Sequence, residues 1–462
     1  LIPGAGATQR LPRLIGVDPS LDLITSGRQV KAAEAESLGI VDQVTEGDPE
    51  DVGVAYAENL IATNAPRRPV SEMAAPAPID WDAAYDGTLK KGRGQISPAQ
   101  AVRAVQAAAE LPFDEGMLAE RKIFMELMET DQRQGMIHAF FSERAVGNLP
   151  ELKGVEPRAL QSIGIIGGGT MGAGIATAAL LAGFNVVLIE MKEDAAEAAR
   201  GRIAGNLSGA LKRGKITQMK YDAMTNTALE VSINYDSLAS VDLVIEAVFE
   251  DMGVKKEVFG KLDAVCKPGA ILASNTSYLD VDEIAASTSR PADVIGLHFF
   301  SPAHIMKLLE VVVAEKTAPD VVATGFALGK ALNKISVRAG VCDGFIGNRI
   351  LATYRTAADH MVLDGASPFQ IDKALVDFGF AMGPFAVADL AGLDIGWANR
   401  KRRAQLYGAA ASDAQFPDQL CAMGHFGRKT GKGYYDYSAD TGGKDAGRAL
   451  APNPRLLLMD EP

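Results

Sequence analysis

The sequence predicts an α/β chain: a parallel β-sheet with helices on both faces, then an all-helical region, with helices and turns ahead of the sheet. Three observations carry this. Between about residues 159 and 338, six β-rich apolar runs alternate with helical patterns, the order that gives a parallel sheet. A glycine-rich phrase, Gly167 to Gly172, lies between the first run and a helical pattern. From about 339 to 437 apolar residues recur at helical spacing.

The segment 1–146 opens on Pro3-Gly4-Ala5-Gly6-Ala7-Thr8-Gln9-Arg10. Pro66, Pro69, Pro76 and Pro78 make 64–78 irregular chain. Ser97 is a good N-cap and Pro98 suits a first helical position, which predicts a helix starting there. Another helical stretch is expected from Asp114 to about Arg144, stopping before Gly147 and Pro150. The strands expected next are 162–166, 186–190, 243–247, 271–274, 294–298 and 309–313. In 339–437, glycine turns are expected at Gly365, at Gly392 and around Gly431 and Gly433.

Gly167-Gly168-Gly169-Thr170-Met171-Gly172 matches the dinucleotide fingerprint, with a strand before it and a helix through Ile175, Ala178 and Leu181 after it. Gly167 permits the tight turn. Gly169 lets the backbone approach a pyrophosphate at the helix N-terminus, and Gly172 allows close helix–strand packing. The next run ends at Glu190, where a carboxylate accepts hydrogen bonds from ribose hydroxyls and repels a 2′-phosphate. NAD is therefore favoured over NADP, with Lys192 as the one contrary charge.

His298, flanked by apolar residues, ends a strand of this sheet, and Glu310 lies on the next apolar run. Such a pair can form a buried acid/base dyad. Imidazole suits the removal of a hydroxyl proton near neutral pH, and a carboxylate beside it orients the ring and stabilises the charge it gains. Open α/β sheets place their ligand crevice at this end of the strands. His304, beyond Pro302, is expected to be structural; two histidines six apart without a third ligand make no metal site. Ser274-Asn275-Thr276-Ser277 follows another strand and offers donors to a substrate and to the nicotinamide ribose, or else is a polar turn with a capping residue. Asn348, in a mostly apolar helical run, either points across a cleft or caps and packs. Gly427 to Gly433 hints at a phosphate loop but lacks its spacing and its strand, so a turn entering Tyr434 is expected.

With 462 residues, two to four domains are expected. The net charge of -12 argues against nonspecific binding to nucleic acid or anionic membranes. Cys266, Cys342 and Cys421 are few and widely spaced, which points to a reducing compartment. The longest apolar stretch, 175–189, is too short to span a bilayer. The chain begins at Leu1 on a Gly/Pro-rich phrase and ends at Asp460-Glu461-Pro462, so a piece of a longer protein is expected.

At these residues the chain resembles the L-3-hydroxyacyl-CoA dehydrogenases, and among them the multifunctional β-oxidation enzymes of the peroxisomal bifunctional type and their bacterial relatives. The matching phrases are 165–174, 241–251, 274–277, 298–310, 344–349, Met382-Gly383-Pro384-Phe385, 389–394 and 426–434. The resemblance implies a Rossmann-type NAD domain at 159–338 and a helical dehydrogenase C-terminal domain at 339–437. His298 would be the general base and Glu310 its orienting partner. Ser277 and Asn348 would contact the substrate oxygen and the reacting centre. Glu246, Lys255 and Asn275 would lie at the cofactor, and Glu190 would hold its ribose. The substrate would be an acyl-CoA thioester.

Residues 1–146 resemble the C-terminal part of a crotonase-fold enoyl-CoA hydratase/isomerase, with Ala7 where a second glycine is usual. That family's catalytic glutamates would lie upstream of Leu1. The chain is thus expected to lack hydratase activity that its parent carries, and 438–462 to be a tail or the start of a second helical repeat. Bacterial cytoplasm is the expected compartment, with the peroxisome as alternative. Peroxisomal-type members lean monomeric, and the sequence leaves the oligomeric state open. Two other readings share the cofactor domain. One is another β-hydroxyacid dehydrogenase, whose lysine-bearing helix is not evident. The other is a scaffold that binds NAD without turnover, against which His298, Glu310, Ser277 and Asn348 argue.

Overall fold

The structure, a computed structural model, describes residues 1–408 and 416–437. The expected tail at 438–462 lies outside them. The chain divides into two compact units, Leu1–Ser142 and a second beginning at Glu143.

The first unit contains α1 (Ala7–Ile15), α2 (Val17–Ser26), α3 (Ala32–Leu38), α4 (Pro49–Ala62), α5 (Trp81–Lys91), α6 (Ile96–Glu110), α7 (Phe113–Met128) and most of α8 (Asp131–Ala145). α6 is its spine: Ala101, Val102, Ala104 and Val105 are buried against Ile2, Val17, Trp81 and Leu127. The Pro3–Thr8 phrase is pinned by Glu120 of α7. Its carboxylate accepts from the Gly6 amide at 2.8 Å, the Thr8 amide at 3.1 Å and the Thr8 hydroxyl at 2.6 Å. Glu120 is buried and caps the start of α1, where helix amides lack internal partners. Replacing Glu120 by Ala strands these donors and is expected to cost about 3 kcal/mol, read as a lower urea midpoint through the buried Trp81.

Two expectations here are corrected. α6 starts at Ile96, not after Ser97; the Ile96 amide donates to Gln132 Oε1 at 3.0 Å, so a neighbouring helix satisfies this end. The stretch from Asp114 to Arg144 is two helices, broken at Glu129-Thr130, where the Thr130 hydroxyl accepts from the Arg133 amide at 3.3 Å. Helical spacing continues across the break, which hides it from periodicity. The proline-rich 64–78 is irregular apart from a 3-10 turn at Val70–Glu72.

The second unit is built on an eight-stranded sheet in the order β3-β2-β1-β4-β5-β6-β7-β8. The strands are β1 (Ser162–Ile166), β2 (Asn185–Ile189), β3 (Leu229–Ser232), β4 (Leu243–Glu246), β5 (Ile271–Ser274), β6 (Val294–Phe299), β7 (Leu308–Val313) and β8 (Ile335–Gly340). One face carries α9 (Thr170–Leu181), α10 (Glu193–Lys212), α11 (Gln218–Ala223) and α14 (Pro319–Ala331), and the other α12 (Met252–Val265) and α13 (Val281–Ala285). Leu243, Ile245, Ile271 and Ala273 pack on the first core, Val244 and Leu272 on the second. Burial on both faces is why these strands read as continuous apolar runs.

The sequence missed β3 and β8, the two edges, which are only partly buried. It also implied an all-parallel sheet, whereas β6 and β7 pair antiparallel. Their link, 300–307, is too short for the crossover that parallel neighbours need. Beyond β8 follow α15 (Gly347–Leu363), α16 (Pro368–Phe378), α17 (Pro384–Ala391), α18 (Leu393–Tyr407) and α19 (Phe416–Ala422), around Phe385, Phe416, Tyr434 and Tyr435. Gly427–Gly433 is a turn, closed by the Gly427 amide on the Lys432 carbonyl at 2.7 Å. Asp389 accepts from the Tyr434 and Tyr435 amides at 2.9 and 3.0 Å, bringing this turn onto α17.

Candidate active site

The antiparallel register makes His298 and Glu310 direct partners across β6 and β7. His298 Nδ1 lies 2.6 Å from Glu310 Oε2, and the residues are 4% and 1% exposed. The other carboxylate oxygen, Oε1, accepts from the amides of Ile346 at 3.1 Å and Gly347 at 2.7 Å. Glu310 therefore sits at the N-terminus of α15, where the helix dipole favours negative charge. The imidazole packs against Phe300 and Phe345, with ring centroids 4.5 and 5.6 Å away. With Nδ1 engaged by Glu310, Nε2 is the ring nitrogen available to a ligand. His304 lies apart on the β6–β7 loop; burial lowers its pKa, and the Lys334 and Arg213 charges add to this.

The polar loop after β5 is braced from below. The Asn275 amide donates to the Glu246 carbonyl at 2.8 Å, while Asn275 Oδ1 accepts from the Phe299 amide at 2.8 Å and so fixes the end of β6. Asn348, the second residue of α15, donates from Nδ2 to the Ser277 carbonyl at 3.4 Å. Ser277, Asn275, His298, Glu310 and Asn348 are thus joined through one set of contacts. Asn348 also lines a cleft of about 270 Å³ with Tyr278, Arg355 and Asn399.

Glu246 and Lys255 are held inside the protein, 0% and 1% exposed. Lys255 Nζ donates to Glu246 Oε1 at 2.7 Å, which also accepts from the Val248 amide at 2.8 Å, and the Ser274 hydroxyl donates to Oε2 at 2.7 Å. This pair braces the chain that leaves β4. The carboxylate on the open side is Glu250, which the sequence reading did not single out. Its Oε1 accepts from the Thr276 hydroxyl at 2.7 Å and from the Ser277 and Tyr278 amides at 2.7 and 2.9 Å. Two polar side chains at the end of β5 and in the loop, Ser274 and Thr276, are therefore committed to carboxylates, Ser274 to the buried Glu246 and Thr276 to the exposed Glu250.

The glycine loop joins β1 to α9. Gly167 has φ +93°, and a Cβ on Gly172 would lie 1.7 Å from the Gly167 carbonyl oxygen. α9 has no side-chain cap, and its start is open: Gly169 and Thr170 are exposed, and a Cβ built on Gly169 meets nothing within 4 Å. Glu190, just past β2, accepts from the Gly168 amide at 2.6 Å and thus stands beside the loop. An uncapped helix N-terminus under a glycine turn, with a carboxylate alongside, fits a dinucleotide's pyrophosphate and ribose. Among the described residues no group of three or more His, Cys, Asp or Glu is arranged to hold a metal.

Residues 162–342 match the 3-hydroxyacyl-CoA dehydrogenase NAD binding domain, and residues 344–437 match the 3-hydroxyacyl-CoA dehydrogenase C-terminal domain. The (S)-3-hydroxybutyryl-CoA dehydrogenase of Ralstonia eutropha is 34% identical, with TM-score 0.57, over 61% of this chain and 100% of that one. The chain belongs to the 3-hydroxyacyl-CoA dehydrogenase family. The sheet of this family member is its NAD-binding domain, and NAD is its cofactor. Similarity extends beyond the dehydrogenase. The peroxisomal bifunctional enzyme of Cavia porcellus is 42% identical over 99% of this chain and 65% of its own length. The Homo sapiens enzyme of that name is 40% identical over 99% of this chain and 65% of its own length. The chain thus spans about 65% of the length of these curated relatives. The first unit, compatible with part of a crotonase fold, is included in that match.

Proposed function

We propose that the second unit oxidises (S)-3-hydroxyacyl-CoA to 3-oxoacyl-CoA, a step of fatty-acid β-oxidation. The observation that carries this is the buried His298–Glu310 contact of 2.6 Å beside the Ser277 loop and the start of α15. In this reading His298 Nε2 takes the proton of the substrate's 3-hydroxyl. Glu310 holds the ring by Nδ1 and stabilises the imidazolium that forms; its second oxygen stays compensated by the Ile346 and Gly347 amides. The Asn348 amide and the Ser277 hydroxyl bind the substrate's oxygens. The Gly167–Gly172 turn and the α9 N-terminus hold the pyrophosphate, Glu190 holds the adenosine ribose, and Asn275 and Glu250 lie towards the nicotinamide end. NAD, when bound, accepts the hydride from the substrate's C3. Glu246 and Lys255 act through the loop they brace.

Acetoacetyl-CoA-dependent oxidation of NADH by the chain tests this. Turnover is expected with NADH, with at least roughly tenfold weaker use of NADPH, since Glu190 opposes a 2′-phosphate. Equal activity on a hydroxy- or oxoacid without CoA would favour another β-hydroxyacid dehydrogenase, and none at all would favour a binding scaffold. For the whole protein we further propose an enoyl-CoA hydratase/isomerase activity, supported by the likeness of residues 1–146 to the crotonase fold. Among the described residues no helix is long and apolar enough to cross a membrane. The proposed compartment is a reducing one, bacterial cytoplasm or peroxisome. Cys266, Cys342 and Cys421 are all free thiols, and burial pushes that of Cys266 up to about 11.

A further inference from the structure

We propose that Arg402 is a positioning residue for this site: its guanidinium, on α18 of the helical region, fastens the joint after β8 to the loop that carries Ser277. The proposal rests on the dehydrogenase reading for its effect on turnover, but not for the fastening itself.

The joint is Cys342-Asp343-Gly344-Phe345, between β8 and α15. Its backbone is unusual, with φ +76° at Gly344 and φ +48° at the fully buried Phe345. A bulky residue in the left-handed region is held there by its surroundings. Phe345 packs on the His298 ring, and the next two amides are those on Glu310. Movement of this joint is therefore movement of the dyad's surroundings. Arg402 Nη2 donates to Asp343 Oδ1, and Arg403 Nε stands 3.8 Å from the second Asp343 oxygen. The Arg402 fork is itself fixed by Asn399, one turn earlier on α18, whose Oδ1 accepts from Nε at 3.2 Å and from Nη2 at 2.9 Å.

The same guanidinium lies over the ring of Tyr278, 5.4 Å from its centroid. Tyr278 follows Ser277, its amide donates to Glu250, and its ring lies 3.4 Å from where a Cβ on Gly344 would be. One side chain thus touches both the joint and the substrate loop. The direct bond between these segments, Asn348 to the Ser277 carbonyl, is long at 3.4 Å and weak by itself. Arginine suits the task because its planar fork both pairs with a carboxylate and stacks on an aromatic face.

The test compares the full chain with Arg402→Met and Asp343→Ala, either of which removes one partner of the pair. Amide hydrogen exchange over residues 276–279 and 342–348 is expected to quicken by roughly tenfold in both variants, with β1 and β5 unchanged. For acetoacetyl-CoA-dependent NADH oxidation, kcat is expected to fall roughly tenfold with the affinity for NADH unchanged. Combined with Asn348→Ala, Arg402→Met should lose little beyond Asn348→Ala alone, because Arg402 acts through that neighbourhood. Wild-type exchange in both segments, or a kcat loss that multiplies with that of Asn348→Ala, overturns the proposal. Should Arg402→Met fail to fold, Asp343→Ala decides. Absence of acetoacetyl-CoA turnover in the wild-type chain would end the dehydrogenase reading, and the exchange data would still decide the fastening.

Discussion

Replacing His298 with glutamine is expected to lower kcat by about 10²- to 10⁴-fold, the usual contribution of a positioned general base. Glutamine is the informative choice because its amide can still donate to Glu310. The buried carboxylate then keeps a partner and the Ile346 and Gly347 amides keep their acceptor, which limits the penalty of an uncompensated charge. Cofactor affinity should stay within about twofold, since β4 and β5 separate β6 from the glycine loop after β1. Stopped-flow turnover with acetoacetyl-CoA and an NADH fluorescence titration measure the two quantities. Turnover at the wild-type rate would remove His298 from the role of base. A parallel loss of NADH binding would mean that the substitution had disturbed the sheet.

Gly172→Ala is expected to abolish useful cofactor binding while leaving the first unit intact. The added methyl would lie 1.7 Å from the Gly167 carbonyl oxygen and 2.9 Å from its carbonyl carbon. Neither atom is the end of a flexible side chain, so the backbone must give. Overpacking of this kind costs about 1–3 kcal/mol. If relieved by displacing the turn from the helix, about 3 kcal/mol is roughly a hundredfold in NADH affinity. The titration used for His298 detects it. An unchanged dissociation constant would show that the pyrophosphate does not depend on this turn.

The two substitutions also mark what the sequence disclosed. The glycine turn was legible because each residue has a local steric reason to be there, and the strand, loop, helix and acid follow in order. The central strands were legible because burial on both faces leaves no polar alternation. β3 and β8 were not, because an edge is covered less and its composition resembles a turn. The direction of β7 was readable but misread: eight residues between β6 and β7 leave no room for a crossover. The dyad emerged from apolar flanks around two ionisable residues, a pattern that survives without knowing the pairing. Glu250 has such a flank on one side only, Ala247-Val248-Phe249. It stands beside Asp251 in an acidic phrase, and only the folded loop shows that it collects three donors from residues 276–278. Ser97 shows the converse, a strong local signal overruled because Gln132 reaches the same helix end.

The antiparallel ladder between β6 and β7 has one more consequence. Ring and carboxylate face each other because their Cα atoms are ladder partners, so backbone pairing rather than loop geometry fixes their separation. Residues 304–307 can therefore change in sequence without moving the dyad, whereas Phe300 packs on the ring and Ala303 is buried. A single residue inserted within either strand would instead turn its side chain through the sheet, because strand side chains alternate faces. Lineages carrying this pair should therefore vary most at 304–307 and hardly at all in the count of residues along the two strands.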